Sequence, residues 1–485
     1  MHRMIRKVSH YRRRWCLLVF TMASTVFILS LHFELDAVQG IQSQAGIAVL
    51  QESSRQGDAS SMIIKPTDEE KRSLSSSLIN EVHAGGGKHR QLRCAEPQPV
   101  KSRFRQLSKG ILVFSVWYDN RKPERFIRIL LLLSRKNPLP LLTCKFESAS
   151  KQTILASETV FYEHNENHHQ RYGGFIASCV VPQELERIPC SINVSITSAS
   201  KTQNVKNNSL AFPVGLTDRP RSPNSWKYGI CIPPVHGDIS VDKIVEFIEL
   251  TKILGASHFT FYDLAMTERV RNVLSHYENK GLVSVLEWNL PEYIGNNLHY
   301  HGQVLSIMDC MYRSMRDLRF VAFHDLDEFI VPLRHDNMNS LLREIHKDQH
   351  CGHCFESVVF DPSTNHESTK ISPLITQRIF YRTSQVIRYW TKCVVDPHRI
   401  FEQGIHHISK ALEEYYDSDK VDWNIARVFH YRQCQDSRAS MQLTCSNSFE
   451  VDKTMRKFGD QLMLNFQIAL SDSDAGQAEI FTASQ

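Results

Sequence analysis

The sequence predicts an α/β fold in which a mostly parallel sheet carries helices on both faces. The main observation is a regular alternation of apolar strands and amphipathic helices over residues 227–323. Short β-branched and aromatic runs fill residues 106–215, which predicts a small β-rich, sandwich-like domain before the α/β domain. A long apolar segment, residues 15–33, predicts an N-terminal transmembrane helix.

The apolar segment is long enough to act as an uncleaved signal anchor. About 20 apolar residues span a bilayer as a helix, whereas the apolar core of a cleaved signal peptide usually has about 7–15. Six Lys or Arg residues precede the segment within residues 1–14, and Glu34 and Asp36 follow it. The positive-inside rule therefore predicts a type II topology, with residues 1–14 as a cytosolic tail and the remainder in a lumen.

Composition agrees with a luminal address. Much of the net charge of +5 lies in the cytosolic tail, so the remaining chain gives no electrostatic reason to bind nucleic acid. Twelve cysteines suit an oxidising compartment, although their connectivity cannot be read from the sequence. Residues 34–105 are rich in Ser, Gly and charge, which predicts a disordered stem.

Two domains follow the stem. Residues 106–220 form the predicted β-rich domain, which could bind carbohydrate or serve as a structural module packed on its neighbour. The α/β domain is assigned to residues 221–460, and residues 461–485 are assigned as a C-terminal tail. The predicted helices of the α/β domain are residues 242–255, 268–280 and 302–317, and the fourth strand is residues 319–323.

Two carboxylates follow the fourth strand directly. Asp325 and Asp327 are two positions apart in an extended segment, so both point to the same side at the end of the sheet where ligands bind. Like charges this close repel unless a cation joins them, and a hard divalent ion such as Mn²⁺ or Mg²⁺ suits oxygen ligands. The pattern therefore predicts a metal site that bridges to a nucleotide diphosphate, the alternative being solvated loop acids or a helix N-cap.

Several longer blocks resemble glycosyltransferase family 92. They are YGICIPPVHGD, EFIELTKILGASHFTFYD, GQVLSIMDCMYR, RFVAFHDLDEFIVP, KCVVDPHRI and ARVFHYR, which together cover about residues 226–432 in order. The resemblance implies a GT-A fold, inversion at the anomeric carbon, a Golgi membrane location and often transfer of galactose from UDP-galactose to a glycan or glycoprotein. The chain departs from the family at residues 360–366, where a Gly/Ser-rich segment ending in Gly-His is expected, so the acceptor stays open. A homo-oligomer is compatible with the sequence.

Individual site residues are assigned on the same basis. GT-A enzymes often supply a third metal ligand from a C-terminal histidine, which here would be His430, although a hydrogen-bonded structural histidine is the alternative. The predicted metal ligands are Asp325, Asp327 and His430. The predicted nucleotide-binding residues are Pro233, Val235, His236, Asp263, Asp325 and Lys392. Inversion requires a general base, for which Glu328, Asp361 and Asp396 are candidates that the sequence does not separate.

The sequence leaves two rival functions open, a thiol oxidoreductase and a carbohydrate-binding protein. The tetrapeptide Cys351-Gly352-His353-Cys354 is that of disulfide isomerases, whose chemistry requires the first Cys at a helix N-terminus after a strand. Here a helical pattern precedes the tetrapeptide and a strand pattern follows it, so a structural disulfide, or pairing of each Cys elsewhere, is favoured. The second rival is a membrane-anchored carbohydrate-binding protein without activity, which the Asp325/Asp327 pair argues against.

Overall fold

The computed structural model describes residues 102–147, 153–156, 159–183, 185, 190–196, 209–217, 227–364, 372–434 and 448–483. The predicted cytosolic tail and anchor, and nearly all of the predicted stem, lie outside these residues. No helix within the described ranges combines the length and the apolar character needed to cross a bilayer.

The β-rich region consists of two sheets. Its strands are β1 (Arg105–Ser108), β2 (Ile111–Asp119), β3 (Phe126–Ser134), β4 (Leu142–Glu147), β5 (Thr153–Ala156), β6 (Thr159–Glu163), β7 (Tyr172–Val180), β8 (Ser191–Ile196), β9 (Ser209–Pro213) and β10 (Gly215–Leu216). One sheet has the order β1-β2-β3-β7-β6 with β10 beside β2, and the other has the order β5-β4-β8-β9. All pairings are antiparallel except that of β10 with β2.

A shared core joins the two sheets, so the prediction of a β-rich, sandwich-like region is confirmed. Val113 and Ile129 from the first sheet cluster with Phe146 and Val194 from the second. A disulfide, Cys144–Cys179, also connects the sheets, since it links β4 to β7. The apolar run in β3 is continuous because the strand is buried along most of its length.

The second region contains the remaining elements. They are β11 (Tyr228–His236), α1 (Val241–Ile253), β12 (Ala256–Ala265), α2 (Glu268–Asn279), β13 (Val283–Glu287), α3 (Glu292–Gly295), α4 (Gln303–Ser314), β14 (Phe320–Phe323), β15 (Glu328–Pro332), α5 (Met338–Ile345), β16 (His350–Phe360), β17 (Tyr381–Thr383), β18 (Ile387–Val395), β19 (Ile400–Gln403), β20 (Ile408–Ala411), β21 (Asp417–Lys420), β22 (Ala426–Tyr431), β23 (Phe449–Val451) and α6 (Gly459–Ala483). The three predicted helices are therefore confirmed as α1, α2 and α4.

The main sheet is mixed, which corrects the prediction of a mostly parallel sheet. Its order is β13-β12-β11-β14-β18-β16-β17-β23, and β15, β21 and β22 lie off this path. The first four strands are parallel, as predicted. From β18 onward most neighbours are antiparallel, because the chain after β14 lacks the long helical crossovers that return a strand in the same direction.

Local sequence signals set the helix ends near the site. The Ser240 hydroxyl accepts a hydrogen bond from the Lys243 backbone N–H and so caps α1. Gly255 ends the helix with a φ of +108°, a conformation that strains any residue with a Cβ. The predicted tail begins as α6, in which Leu462, Phe466 and Ala469 are buried in the same core as α1 and α2.

The opposite face of the parallel strands is covered jointly by α4 and the β-rich region. Phe114 and Trp117 share a core with Met308 and Tyr312 of α4, and the Trp117 and Tyr312 rings stack with centroids 6.4 Å apart. A second disulfide, Cys231–Cys310, ties α4 to β11. Helices therefore lie on both faces as predicted, but one face also packs on the β-rich region, and the described residues belong to one compact unit.

Candidate active site

The turn between β14 and β15 is the centre of the site. The Glu328 carboxylate accepts a hydrogen bond from the Asp325 backbone N–H at 2.9 Å, which fixes the turn from inside. The Tyr431 N–H donates to the Asp327 carbonyl oxygen at 2.8 Å and ties the turn to β22. The Asp325 and Asp327 side chains are 42% and 28% exposed, whereas Glu328 is buried. Both predicted ligands therefore reach solvent at the carboxyl end of the parallel strands.

A buried lysine compensates part of this negative charge. Lys392 Nζ lies 3.0 Å from Glu328 Oε2 and 3.4 Å from Asp325 Oδ2. Burial alone would raise the pKa of Glu328, but Lys392, followed by His430, lowers that pKa to about 2. Burial also works against the charged form of Lys392, yet Glu328 and Asp325 raise its pKa above the ordinary value. Lys392 thus binds carboxylates of the site, and its predicted contact to the diphosphate is not required to explain its position.

The charged form of the Asp325 carboxylate is stabilised less than that of Glu328. Although 42% of the side chain is exposed, burial of the carboxylate among protein atoms raises its pKa to about 6. Lys392 lowers this pKa, whereas the neighbouring charges of Glu328 and Asp327 raise it further. A second cation would relieve the same repulsion, as expected for a metal-binding carboxylate.

The predicted third ligand, His430, lies beside this turn. His430 pairs with Glu328 across β15 and β22, and its Nε2 is 3.9 Å from Asp327 Oδ1. Its Nδ1 is buried, has no hydrogen-bond partner in the part of the chain that the structure describes, and lies 3.5 Å from Glu328 Oε1. Burial lowers the pKa of His430, so the imidazole is neutral near pH 7, the form that binds metals.

These residues fit a divalent cation. Three carboxylates, those of Asp325, Asp327 and Glu328, face one buried ammonium, that of Lys392, so the cluster keeps a negative excess. One carboxylate and one imidazole, from Asp327 and His430, converge to 3.9 Å and would be direct ligands. Asp325 turns toward Lys392 instead, so it would bind a cation only after that contact loosened, or would attract the cation electrostatically.

A recess of about 470 Å³ adjoins Asp327. The first turn of α1 forms one wall, including Ser240 and Lys243, and Arg378 lies on another. Lys243 Nζ is 3.8 Å from Asp327 Oδ2. Tyr431 also lines the recess, and its hydroxyl is buried without a hydrogen-bond partner among the described residues. The recess lining carries two cationic side chains, those of Lys243 and Arg378, at a helix N-terminus, and three carboxylates, those of Asp242, Glu246 and Asp327. It therefore suits an anionic group when a cation neutralises Asp327.

The remaining predicted nucleotide-binding residues lie at the ends of β11 and β12. Pro233, Val235 and His236 occupy the carboxyl end of β11, where His236 is exposed and its ring contacts that of His301 at 4.6 Å. Asp263, near the end of β12, accepts hydrogen bonds from the Met266 backbone N–H and the Arg271 side chain. Asp263 therefore acts as a loop cap in this structure.

The second region of the chain matches a known protein family. The model of glycosyltransferase family 92 matches residues 227–473, just over half of the 485-residue chain. The chain belongs to glycosyltransferase family 92. The match includes the parallel strands, the β14–β15 turn, Lys392 and His430. The resemblance expected from the sequence blocks is thus confirmed, and the chain is a glycosyltransferase.

Curated relatives carry galactosyltransferase names. The family 92 chain is 24% identical to the beta-1,4-galactosyltransferase galt-1 of Caenorhabditis elegans over 371 residues, which cover 72% of this chain and 81% of that protein. It is 24% identical to the galactan beta-1,4-galactosyltransferase GALS2 of Arabidopsis thaliana over 258 residues, which cover 49% and 48% respectively. The glycosyltransferase family 92 protein F55C10.4 of C. elegans is also 24% identical, over 38% of this chain and 37% of that protein.

The general-base candidates of this family 92 enzyme are not equally placed. Glu328 is buried against Lys392, and its lowered pKa makes it a weak base. Asp361 is buried and accepts hydrogen bonds from Ser363 and from the Cys434 backbone N–H, as a loop-capping residue does. The structure brings neither carboxylate into the recess.

Asp396 lies away from the other predicted site residues. It is buried and pairs with Arg319 at 3.0 Å and with Arg399 at 3.4 Å. Arg319 precedes β14, whereas Asp325 follows it, so the two aspartates are at opposite ends of this strand. The sequence could not show this, because the direction in which β18 pairs with β14 determines which end Asp396 occupies.

Three site residues were missed by sequence reasoning. Lys243 and Arg378 line the recess, and His406 packs against the strand that carries Lys392. The position of Lys243 in the first turn after the first strand is a signal that could have identified it. Arg378 and His406 lie in loops without a motif, so only the tertiary structure places them.

A cluster of histidines lies near the end of β14 opposite the Asp325–Asp327 turn. Ligand atoms of His350, His353 and Asp419 are all within 4.8 Å of one another. Because Arg399 can only donate to His346 Nε2, at 3.3 Å, the proton of His346 is on Nδ1 and is donated to His353 Nε2 at 3.1 Å. His353 Nδ1 then donates to Asp419 at 2.9 Å. This directional chain uses both nitrogens of His353, which favours a hydrogen-bonded structural role over a metal site.

The thiol-oxidoreductase rival is excluded by the placement of its cysteines. Cys351 and Cys354 both lie in the strand β16, not at a helix N-terminus. Cys354 forms a disulfide with Cys393, whereas Cys351 is free and buried. Burial raises the pKa of the Cys351 thiol to about 11, opposite to the shift that thiol exchange requires. The prediction of structural pairing is therefore confirmed for Cys354.

Proposed function

We propose that this family 92 enzyme is a metal-dependent, inverting galactosyltransferase that transfers galactose from UDP-galactose to a glycan or glycoprotein acceptor. The carrying observation is the approach of Asp327 and His430 to 3.9 Å at the carboxyl end of the parallel strands, beside a recess lined by Lys243 and Arg378. Open α/β sheets bind nucleotides at this end. The family assignment supplies sugar transfer as the reaction class.

The protein's own groups have distinct parts in this proposal. Asp327 and His430 hold the cation, and Lys392 with Glu328 keeps the turn that presents Asp327 in place. When bound, Mn²⁺ or Mg²⁺ supplies Lewis-acid stabilisation of the charge that develops on the departing diphosphate. Lys243, Arg378 and the N-terminal N–H groups of α1 bind the same diphosphate from the recess.

Galactose is the sugar that the relatives favour. Two relatives, from C. elegans and A. thaliana, are named beta-1,4-galactosyltransferases, each at 24% identity. The recess supports a nucleoside diphosphate as the donor's leaving group, and no contact among the described residues selects among hexoses. The luminal, Golgi-membrane location, the type II topology and self-association rest on the sequence patterns and stay predictions.

A donor screen tests the proposal. The luminal fragment, beginning after residue 33, is incubated with UDP-galactose, UDP-glucose, UDP-N-acetylglucosamine and UDP-N-acetylgalactosamine over a glycan array, with Mn²⁺ or with chelator. Metal-dependent transfer from UDP-galactose with β-configured product supports the proposal. Transfer from another donor only, retention of the donor's anomeric configuration, or transfer in excess chelator contradicts the corresponding part of it.

The carbohydrate-binding alternative makes a different forecast in the same screen. A protein without activity would retain glycans on the array yet consume no nucleotide sugar in the presence of Mn²⁺. The Asp325–Asp327 turn argues against this alternative, because its carboxylates and that of Glu328 repel one another and Lys392 and Lys243 offset only part of their charge.

A further inference from the structure

The β-rich region forms hydrogen bonds with a buried carboxylate in a hairpin of the second region, β19–β20. Glu402, in β19, is fully buried and accepts hydrogen bonds from the Tyr162 hydroxyl at 2.6 Å and the Asn165 backbone N–H at 2.8 Å. The Asn165 side-chain amide donates to the same carboxylate at 2.8 Å. Both partners lie at the end of β6 and in the loop after it, so the β-rich region fixes one strand of the β19–β20 hairpin.

A second carboxylate holds the turn of that hairpin. Glu166, from the same loop, accepts a hydrogen bond from the Ile405 backbone N–H at 2.6 Å. A Cβ at Gly404 would lie 2.6 Å from the same carboxylate oxygen, closer than such atoms approach. The turn therefore sits directly on Glu166, and glycine at this position allows the close approach.

His406, the next residue of the turn, contacts the strand that carries Lys392. The Thr391 hydroxyl donates to the His406 carbonyl oxygen, and His406 Nδ1 lies 3.2 Å from the Thr391 carbonyl oxygen. Since a carbonyl only accepts, the His406 proton is on Nδ1. Thr391 immediately precedes Lys392, whose ammonium binds Glu328 at 3.0 Å. Burial lowers the pKa of His406 to about 4, with Lys392 lowering it further and Glu328 opposing.

We infer that Glu166 of the β-rich region is a positioning residue for the active site, acting through the 403–407 turn and His406 on the strand that carries Lys392. The inference rests on the proposed function, and it gives the β-rich region a part in catalysis. Without an acceptor, the Ile405 N–H loses its fixed partner and the turn relaxes from the loop. A displacement of about 1 Å in Lys392, and in the Asp325–Asp327 turn that it holds in place, is enough to lower the rate by up to about 100-fold.

Three variants of the full luminal fragment separate this role from a general effect. Glu166→Ala removes the acceptor, Glu166→Gln retains an amide oxygen that still accepts, and Glu163→Ala is the matched control. Glu163 lies at the end of β6, pairs with Arg135 and accepts a hydrogen bond from the Asn167 side chain of the same loop, but among the described residues it makes no polar contact with the hairpin. We expect Glu166→Ala to lower kcat about tenfold with KM for the nucleotide sugar changed less than about twofold. Glu166→Gln should recover most of kcat, and Glu163→Ala should match the wild type.

Hydrogen–deuterium exchange gives a readout that does not depend on activity. Glu166→Ala, and separately Gly404→Ala, should speed exchange in residues 387–395 and 403–411, whereas Glu163→Ala should not. Unchanged exchange in both segments, an unchanged kcat for Glu166→Ala, or an equal loss of kcat in Glu163→Ala would each overturn the inference. If the wild type transfers no sugar, the proposed function fails, and the exchange data alone decide whether Glu166 positions this turn.

Discussion

Lys392 Nζ lies 3.0 Å from Glu328 Oε2, and both side chains are 1% exposed. The pair connects β18 to the start of β15, directly behind the Asp325–Asp327 turn. A buried ion pair of this kind contributes little net stability relative to apolar side chains, but it leaves a large penalty when one partner is removed. Its position indicates that the pair holds the Asp325–Asp327 turn in one geometry.

Removing the lysine should destabilise the protein strongly. Lys392→Met leaves Glu328 as a buried, unpaired carboxylate, for which we expect a loss of about 3–5 kcal/mol in the free energy of unfolding. Urea denaturation of the luminal fragment measures it. The double variant Lys392→Met/Glu328→Gln should lose less than the single variant, because it removes the unpaired charge as well.

An exposed lysine supplies the control for that experiment. Lys280 is 47% exposed and pairs with Asp472 on the surface. Lys280→Met should change the free energy of unfolding by less than about 0.5–1 kcal/mol, as surface ion pairs do. Similar losses in Lys280→Met and Lys392→Met would refute the assigned role of the buried pair.

The parallel half of the sheet was predictable, because its signals are local. The pattern of residues 242–255 predicts a helix, and Val241–Ile253 forms α1 with Ser240 as its cap. The Asp325/Asp327 pair follows from a buried strand and a two-residue spacing. These inferences needed no knowledge of which distant segments pair.

The antiparallel half and the inner contacts of the site were not predictable in this way. Lys392 meets Glu328 only because β18 pairs antiparallel with β14, and no periodicity encodes that choice. The same pairing places Asp396 at the end of β14 opposite Asp325. The sequence pattern therefore could not show whether Asp396 lies near enough to act as the general base. His406 depends on contacts made by the β-rich region, which sequence motifs do not record.

The recess makes a prediction about nucleotide binding. Lys243→Ala and Arg378→Ala should each raise the Kd for UDP in the presence of Mn²⁺ by about tenfold or more, since a charge-assisted hydrogen bond contributes about 1.5–3 kcal/mol. Isothermal titration calorimetry measures the change. Lys252→Ala is the matched control, because Lys252 lies in the last turn of α1 and binds Glu249 at 2.7 Å. Equal affinity in all four proteins would place the diphosphate elsewhere.

Buried histidines should make stability depend on pH. Burial lowers the pKa of His164 to about 3, and within the described ranges neither of its buried ring nitrogens has a hydrogen-bond partner. The unfolded chain, with an ordinary histidine pKa of about 6.5, then binds more protons than the folded chain between pH 6.5 and 3. Stability attributable to this histidine is full above about pH 6.5 and falls by about 1.4 kcal/mol per pH unit below it.

Urea denaturation between pH 7.5 and 4.5 measures this effect. The wild type should lose stability as the pH falls, and His164→Leu should lose less over the same interval because it removes the depressed histidine. The difference between the two proteins isolates His164 from other groups that titrate. Parallel pH profiles would contradict the assigned cause.

The measurement that tests the metal assignment most directly is the Mn²⁺-stimulated transfer rate of Asp327→Asn beside that of the wild type. Asp327 lies at the mouth of a recess with 28% of its side chain exposed, so the substitution opens no cavity and the free energy of unfolding should be preserved. The rate should fall about 100-fold or more, since several kcal/mol of charge stabilisation depend on the cation and each 1.36 kcal/mol is about tenfold. Asp325→Asn should behave similarly, and His430→Ala should cost less because water can replace one ligand. Near-normal turnover in Asp325→Asn and Asp327→Asn, or a wild-type rate unchanged by excess chelator, would contradict the account.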